Sequence, residues 1–375
     1  MINSFHHQFI TIINYFSNTF IFFLLFLFGY LEITGEAFVT LSLITIFTQG
    51  FSANIRNIYL GSTNTVNLKK EILFRTFVGI IGIFFTILLI YIFFGKSNIL
   101  FHFSVIFSTV INWILELPIA NHEKIKSKRI YYSINCIFFL VTSLLLIIFN
   151  NILSLSIFIF LNSLFNILIY QKFFRHIFNC NIFIVDVKFD IGIFSTFIKT
   201  VVNFSWRYFI IIFVGSSDAS FLFMGIAIGS FFGTLFDVSY GAFFLKKIKN
   251  KKYLINFFFT VYVFLILLIL YFIKNFMQFE SKQLNILLTT IIFSVFGAYF
   301  AIVALQKRQL LFEKVKYIKA CYKADIYIYT LNFFIILIIC IINPQFLVIS
   351  YFVSSIFFYF LYIIFFRNVH SKKTS

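Results

Sequence analysis

Long apolar runs, each near the length of a bilayer-crossing helix and each closed by a short polar cluster, recur along the whole chain. A span needs about 20 mostly apolar residues. That ruler predicts twelve, over 8–31, 36–60, 72–94, 99–120, 130–149, 151–172, 191–214, 219–243, 253–273, 284–304, 326–343 and 346–366. The separators are turn-formers: Asn150-Asn151 between the fifth and sixth, Gly215-Ser216-Ser217-Asp218 between the seventh and eighth, Pro344 between the last two. The expectation is an all-α polytopic membrane protein in two six-helix lobes, 1–174 and 191–375, with a cytoplasmic linker over 175–190. No loop is long enough to fold alone, since chains below about 40 residues rarely do. Gln306–Lys323 reads as an extension of the tenth span or as a helix lying at the membrane surface.

Charge orients the set. Of the 30 Lys and Arg, 24 fall on one side of the predicted spans, including Lys69, Lys70 and Arg75, the run Lys246–Lys252, and the cluster Lys307–Lys323. The other side holds only Lys96, Lys274 and Lys282, and Arg56, Lys199 and Arg207 lie within spans. Basic loops stay in the cytoplasm, so both termini are expected there. An odd number of spans would destroy the alternation.

Composition agrees. The chain is 61% hydrophobic and 11% charged, where a soluble domain is about 45–50% apolar and 25% charged. Its mean hydropathy is +1.01. The net charge of +18 would suggest nucleic acid in a soluble protein; its confinement to one membrane face points to lipid headgroups instead. Four scattered cysteines without a CxxC imply neither a disulfide framework nor a zinc site. The first apolar run is too long for a cleavable signal peptide and lacks its small-residue site.

Polar residues inside spans are few. Span one carries Asn14 and Asn18, span two Gln49, Asn54, Arg56 and Asn57, and span four Glu116 beside Trp113 and Pro118. Span seven carries Lys199, Asn203 and Arg207 four apart, on one helical face. Span eight carries Gly225, Gly229, Gly233, Asp237 and Gly241, also four apart. At 1.5 Å per residue, Lys199, Arg207 and Asp237 lie about 12 Å inside the nearer boundary. Intramembrane charges cost about 2.5–3.5 kcal/mol on insertion scales and face protein or water. Arg56 and Glu116 lie only about 6 Å in and can snorkel, so surface anchoring competes with a functional role. The glycine stripe fits ordinary close packing as well as a cavity wall. Spans five, nine, eleven and twelve look like lipid-facing scaffold.

Enzymatic chemistry finds no support. The six histidines have no metal-ligand spacing, and the outer acidic residues Glu32, Glu36, Asp218 and Glu280 read as solvated loop ends. Two short matches relate the halves: Asn14–Asn18 with Asn203–Arg207, and Phe51-Ser52-Ala53-Asn54 with Phe236-Asp237-Val238-Ser239. Both pairs of spans would run the same way, as in parallel transporter repeats.

With the residues laid out, the chain resembles the oligosaccharide-unit flippases of the MOP exporter superfamily (Wzx-type O-antigen flippases), which share the MATE-like architecture. The most specific local piece is Gln49-Gly-Phe-Ser-Ala-Asn54-Ile-Arg56-Asn57 at the end of span two. The resemblance implies a cavity lined by spans one, two, seven and eight. There Arg207, Lys199, Asn203, Arg56, Asn54, Asn14 and Asn18 would meet substrate, with Asp237 and Glu116 as coupling or ion-pair candidates. It further implies flipping of a polyprenyl-diphosphate-linked oligosaccharide to the outer leaflet for surface polysaccharide or O-antigen synthesis. Partners would be that lipid-linked saccharide, membrane lipids, and polysaccharide polymerase or assembly proteins, with no nucleic acid and no metal or cofactor. Coupling to a proton gradient, a sodium gradient or the membrane potential stays open. The rivals are a multidrug or small-molecule secondary transporter of the same superfamily, which would favour an acidic cavity, and a polysaccharide polymerase or ligase. A major-facilitator carrier lacks support, because the Thr63–Lys70 loop has no basic signature.

Overall fold

The computed structural model describes residues 19–52, 55, 68–96, 98–125, 151–171, 191–239, 252–276, 279–312 and 315–371. The predicted fifth span and the 175–190 linker lie outside them. Every other predicted span contains described helix: α1 (19–27), α2 (Leu31–Thr48), α3 (Leu68–Phe94), α4 (Ile99–Ile125), α5 (Ile152–Ile169), α6 (Ile191–Val214), α7 (Ser216–Ser239), α8 (Lys252–Phe276), α9 (Ser281–Phe312), α10 (Val315–Ile342) and α11 (Ser350–Ser371). Among the described residues nine helices are long and apolar enough to cross a membrane.

The corners follow from local chemistry. Gly29, Gly95 and Gly215 each adopt a positive φ of 74–82° at a helix end, a conformation that costs a residue with a Cβ about 1 kcal/mol or more. Gly215 alone separates α6 from α7, so the hairpin corner is tighter than the four-residue polar cluster suggests. Asn151 and Asn343 cap the helices after them, accepting from the backbone N–H of Leu153 and Gln345 at 2.9 Å. Pro344 then opens the 3-10 turn Pro344–Ile349 that feeds α11.

The chain divides into two compact units, Met1–Phe204 and Ser205–Ser375, so the division falls inside α6. In the first, α2, α3 and α4 enclose Ile44, Ile72, Ile106, Val110, Ile114 and Leu117. Tyr170, at the end of α5, packs on Ile111, Leu115 and Ile119 of α4. In the second unit α7 lies against α9 along the glycine stripe. A Cβ at Gly225 would meet Thr290 Cβ at 2.7 Å, and one at Gly229 would meet Ser294 Cβ at 2.5 Å. The stripe is a close helix contact. An adjacent face of α9 meets α11, where Gly297 admits the Tyr351 ring. Gln306–Lys323 is helical at both ends, as the continuation of α9 and the start of α10.

Long apolar side chains cover the outside. Phe84 is 71% exposed, and on α8 Phe257, Phe264, Leu267 and Tyr271 all stand clear of the protein. In water such a surface would drive aggregation; in a bilayer it is the solvated face.

Candidate functional site

Span two is not one helix. α2 stops at Thr48 and the chain turns through Gln49–Phe51, which corrects the continuous helix expected over 36–60. The Thr45 carbonyl accepts from both Gln49 N (2.9 Å) and Gly50 N (3.1 Å), and Ser52 N and Oγ both donate to the Gln49 carbonyl. The Gly50 carbonyl accepts from Thr196 Oγ1 of α6 at 2.6 Å. A Cβ on Gly50 would collide with the Ile46 carbonyl oxygen and fall 2.9 Å from Thr200 Oγ1. Interrupted backbone inside a membrane survives only where protein groups take up its free carbonyls, and Thr196 and Ser52 do so here. The described Phe51-Ser52 is a turn, whereas Phe236–Ser239 is helix, so these matched segments differ in backbone.

Below the break sits a buried charge. Phe51 makes edge contacts with Phe74 (6.4 Å) and Phe197 (5.8 Å), and with Phe47 it covers Phe74, Val78 and Trp113. The guanidinium of Arg75 stacks 4.9 Å from the Trp113 ring centroid. Arg75, counted from the sequence with the basic residues of one membrane side, is wholly buried within the protein. Its Nη1 donates to the Trp113 carbonyl at 2.7 Å and to Glu116 Oε2 at 2.8 Å. Its Nε lies 3.5 Å from Glu71 Oε1, one turn earlier on α3. Two carboxylates therefore flank one arginine.

Two further polar clusters are buried. His102 Nδ1 and the Thr40 hydroxyl are 2.9 Å apart, and His102 Nε2 is 3.3 Å from Glu36 Oε2. Glu36 is 6% exposed, so it is not a solvated loop end: α2 starts at Leu31, directly after the Gly29 corner, and carries Glu36 inward. In the second unit Asp325 takes a two-pronged bond from Arg308, Nε to Oδ1 at 3.0 Å and Nη2 to Oδ2 at 2.6 Å. The Tyr362 hydroxyl also donates to it. That cluster ties α9, α10 and α11 together around Ala304, Ala324 and Ile328. Among the described residues no group of three His, Cys, Asp or Glu could hold a metal ion.

No family model matches the chain, and no curated protein matches it in sequence. Among solved structures, it is similar to a multidrug resistance MATE family transporter of the MOP superfamily, solved in an outward-facing conformation. The match has a TM-score of 0.56 at 14% identity and covers 100% of this chain and 97% of that one. The fold is that of a MATE transporter.

Within this MATE-like fold the residues singled out from the sequence separate. Lys199 and Arg207 are half-buried on α6 and Asn203 is exposed, all three on one helical face. Asp237 lies in α7, and its side chain is outside those described. Asn14, Asn18, Asn54 and Arg56 also lie outside the described residues. Glu116 is in the Arg75 cluster. The sequence reading missed Glu71 and Arg75, although a signal was present: Glu-x-x-x-Arg places both on one helical face, and Glu116 stands alone in the facing span.

Proposed function

We propose that the chain is a secondary transporter of the bacterial inner membrane, with both termini cytoplasmic, that moves a polyprenyl-diphosphate-linked oligosaccharide to the outer leaflet. The observation that carries this reading is the cationic face of α6 within a MATE-like fold. Lys199 and Arg207 put two positive charges at membrane depth, where an anionic substrate stabilises them. A guanidinium pairs with diphosphate oxygens through two parallel hydrogen bonds, which an ammonium cannot do. Arg56, Asn54, Asn14, Asn18 and Asn203 would complete the polar surface, with Asp237 as the resting counter-charge of Arg207. Polysaccharide polymerase or assembly proteins would act on the product.

The test is complementation of cells that lack their own flippase, read as surface polysaccharide at equal protein level. Arg207→Lys should express normally and lose most of the signal. Full activity in the charge-swapped double variant, Arg207→Asp with Asp237→Arg, would instead make the two residues a structural pair and remove Arg207 from substrate binding. The fold of the MATE neighbour favours a second reading, multidrug export. Raised resistance to cationic dyes, with no gain in surface polysaccharide, would select it.

A further inference from the structure

The two buried arginine clusters are built differently, and the difference points to a function. In the second unit Asp325 takes a two-pronged bond from Arg308, both of its carboxylate oxygens are engaged, and a tyrosine hydroxyl adds to them. That geometry is that of a structural tie. In the first unit Arg75 meets two carboxylates, so that among the described side chains the cluster holds one more negative than positive charge. Its hydrogen bonding is also incomplete. Arg75 Nη2, Trp113 Nε1 and Glu71 Oε1 are buried without a hydrogen-bond partner, and Arg75 Nε approaches Glu71 without hydrogen-bond geometry. The cost of the extra charge falls on Glu71, 15% exposed beside the wholly buried Arg75, and is relieved there by neutralisation.

We infer that Glu71 is a proton-binding site, and that the Glu71–Arg75–Glu116 cluster is where the transport cycle takes up and releases a coupling proton. Glu116 holds the well-formed bond to Nη1 and is 34% exposed, whereas Glu71 Oε1 is buried without a bond, so Glu71 is the carboxylate that gains more from a proton. A proton on Glu71 takes the cluster from one net negative charge to neutrality. Its loss to water restores the charge. A metal cation fits poorly: it would sit against the guanidinium, and hard cations want six or more oxygen ligands. Among the described side chains, Lys70 on the same turn is exposed, and the hydrophobic residues at the end of α2 and in the break that pack on Trp113 are Phe47 and Phe51. Among the described side chains of α4, Glu116 is the one acid. Trp113, on which Arg75 stacks, packs against Phe51 of the interrupted segment of span two, so the cluster touches the one place where that span is not helical among its described residues.

The meaning of this proton as a coupling ion rests on the transporter reading, but its existence does not. Infrared difference spectra of the full chain in lipid nanodiscs, recorded across the physiological pH range, report the C=O stretch of protonated carboxyl groups. The wild type should show a titrating band that Glu71→Gln abolishes and Glu36→Gln leaves in place. Glu116→Gln should abolish it too, since Glu71 then becomes the sole counter-ion of Arg75 and stays ionised. A band that persists unchanged in Glu71→Gln, or no titrating band in the wild type, overturns the assignment. Loss of the band in Glu116→Gln alone overturns it as well, by moving the proton to the other carboxylate. If the band behaves as expected while complementation fails, the proton site stands and the flippase reading falls.

Discussion

Replacing Gly229 by alanine adds one methyl group at the tightest point of the α7–α9 contact. The new Cβ would lie 2.5 Å from Ser294 Cβ, 2.6 Å from the Ile291 carbonyl oxygen and 3.1 Å from Val295 N. Carbon contacts rest at about 3.5–4.0 Å, so the helices must part by about 1 Å. Two of the three neighbours are backbone atoms, which no rotamer change can move. Overpacking of this kind costs about 1–3 kcal/mol. Separation also strains the bond from the Tyr262 hydroxyl to the Gly229 carbonyl, 2.9 Å long and worth about 1 kcal/mol. Against this, alanine is the better helix former by about 1 kcal/mol. The net loss of about 1–3 kcal/mol should lower the melting temperature by on the order of 5 °C, read from tryptophan fluorescence of detergent-purified protein. Gly233→Ala is the matched control, because its Cβ would meet Ala298 Cβ at a relaxed 3.5 Å; it should be neutral or stabilising. A melting temperature for Gly229→Ala at or above wild type would refute the packing argument, since a stripe facing lipid would show only the helix-propensity gain.

Gly50→Ala has no room at all, because the new Cβ would collide with the Ile46 carbonyl oxygen. Complementation should fall to background, while Phe264→Leu, on the exposed face of α8, keeps it at wild-type level. Asp325→Ala removes the acceptor of both Arg308 and Tyr362 and should cost about 3–5 kcal/mol, measured as lost thermal stability; Asp325→Asn, which keeps one carbonyl acceptor, should lose less. Thr40→Val deletes the hydroxyl beside His102 Nδ1 at nearly constant volume and should cost about 1 kcal/mol, and an unchanged melting temperature would show that His102 is held by Glu36 alone.

Periodicity and composition determined the helical, membrane-spanning class and nearly all helix positions. Apolar length and glycine corners are local properties, and a bilayer leaves a chain few alternatives to helices that satisfy their own backbone. The four-residue glycine spacing likewise named the face of α7 that another helix approaches, but not which helix. What tertiary structure alone decided is where polar groups find partners. Glu36 is solvated or buried according to whether α2 starts before or after it, and a single Gly29 corner sets that. The break at Gln49–Phe51 depends on Thr196, far along the chain, supplying a hydroxyl to the Gly50 carbonyl. Arg75 read as a membrane-face charge because its sequence neighbours are lysines; α4, bringing Glu116 and the Trp113 ring across from another part of the chain, turned it into a buried one. Burial of a charge is a property of what surrounds it in space, and that surrounding is assembled only when the helices pack.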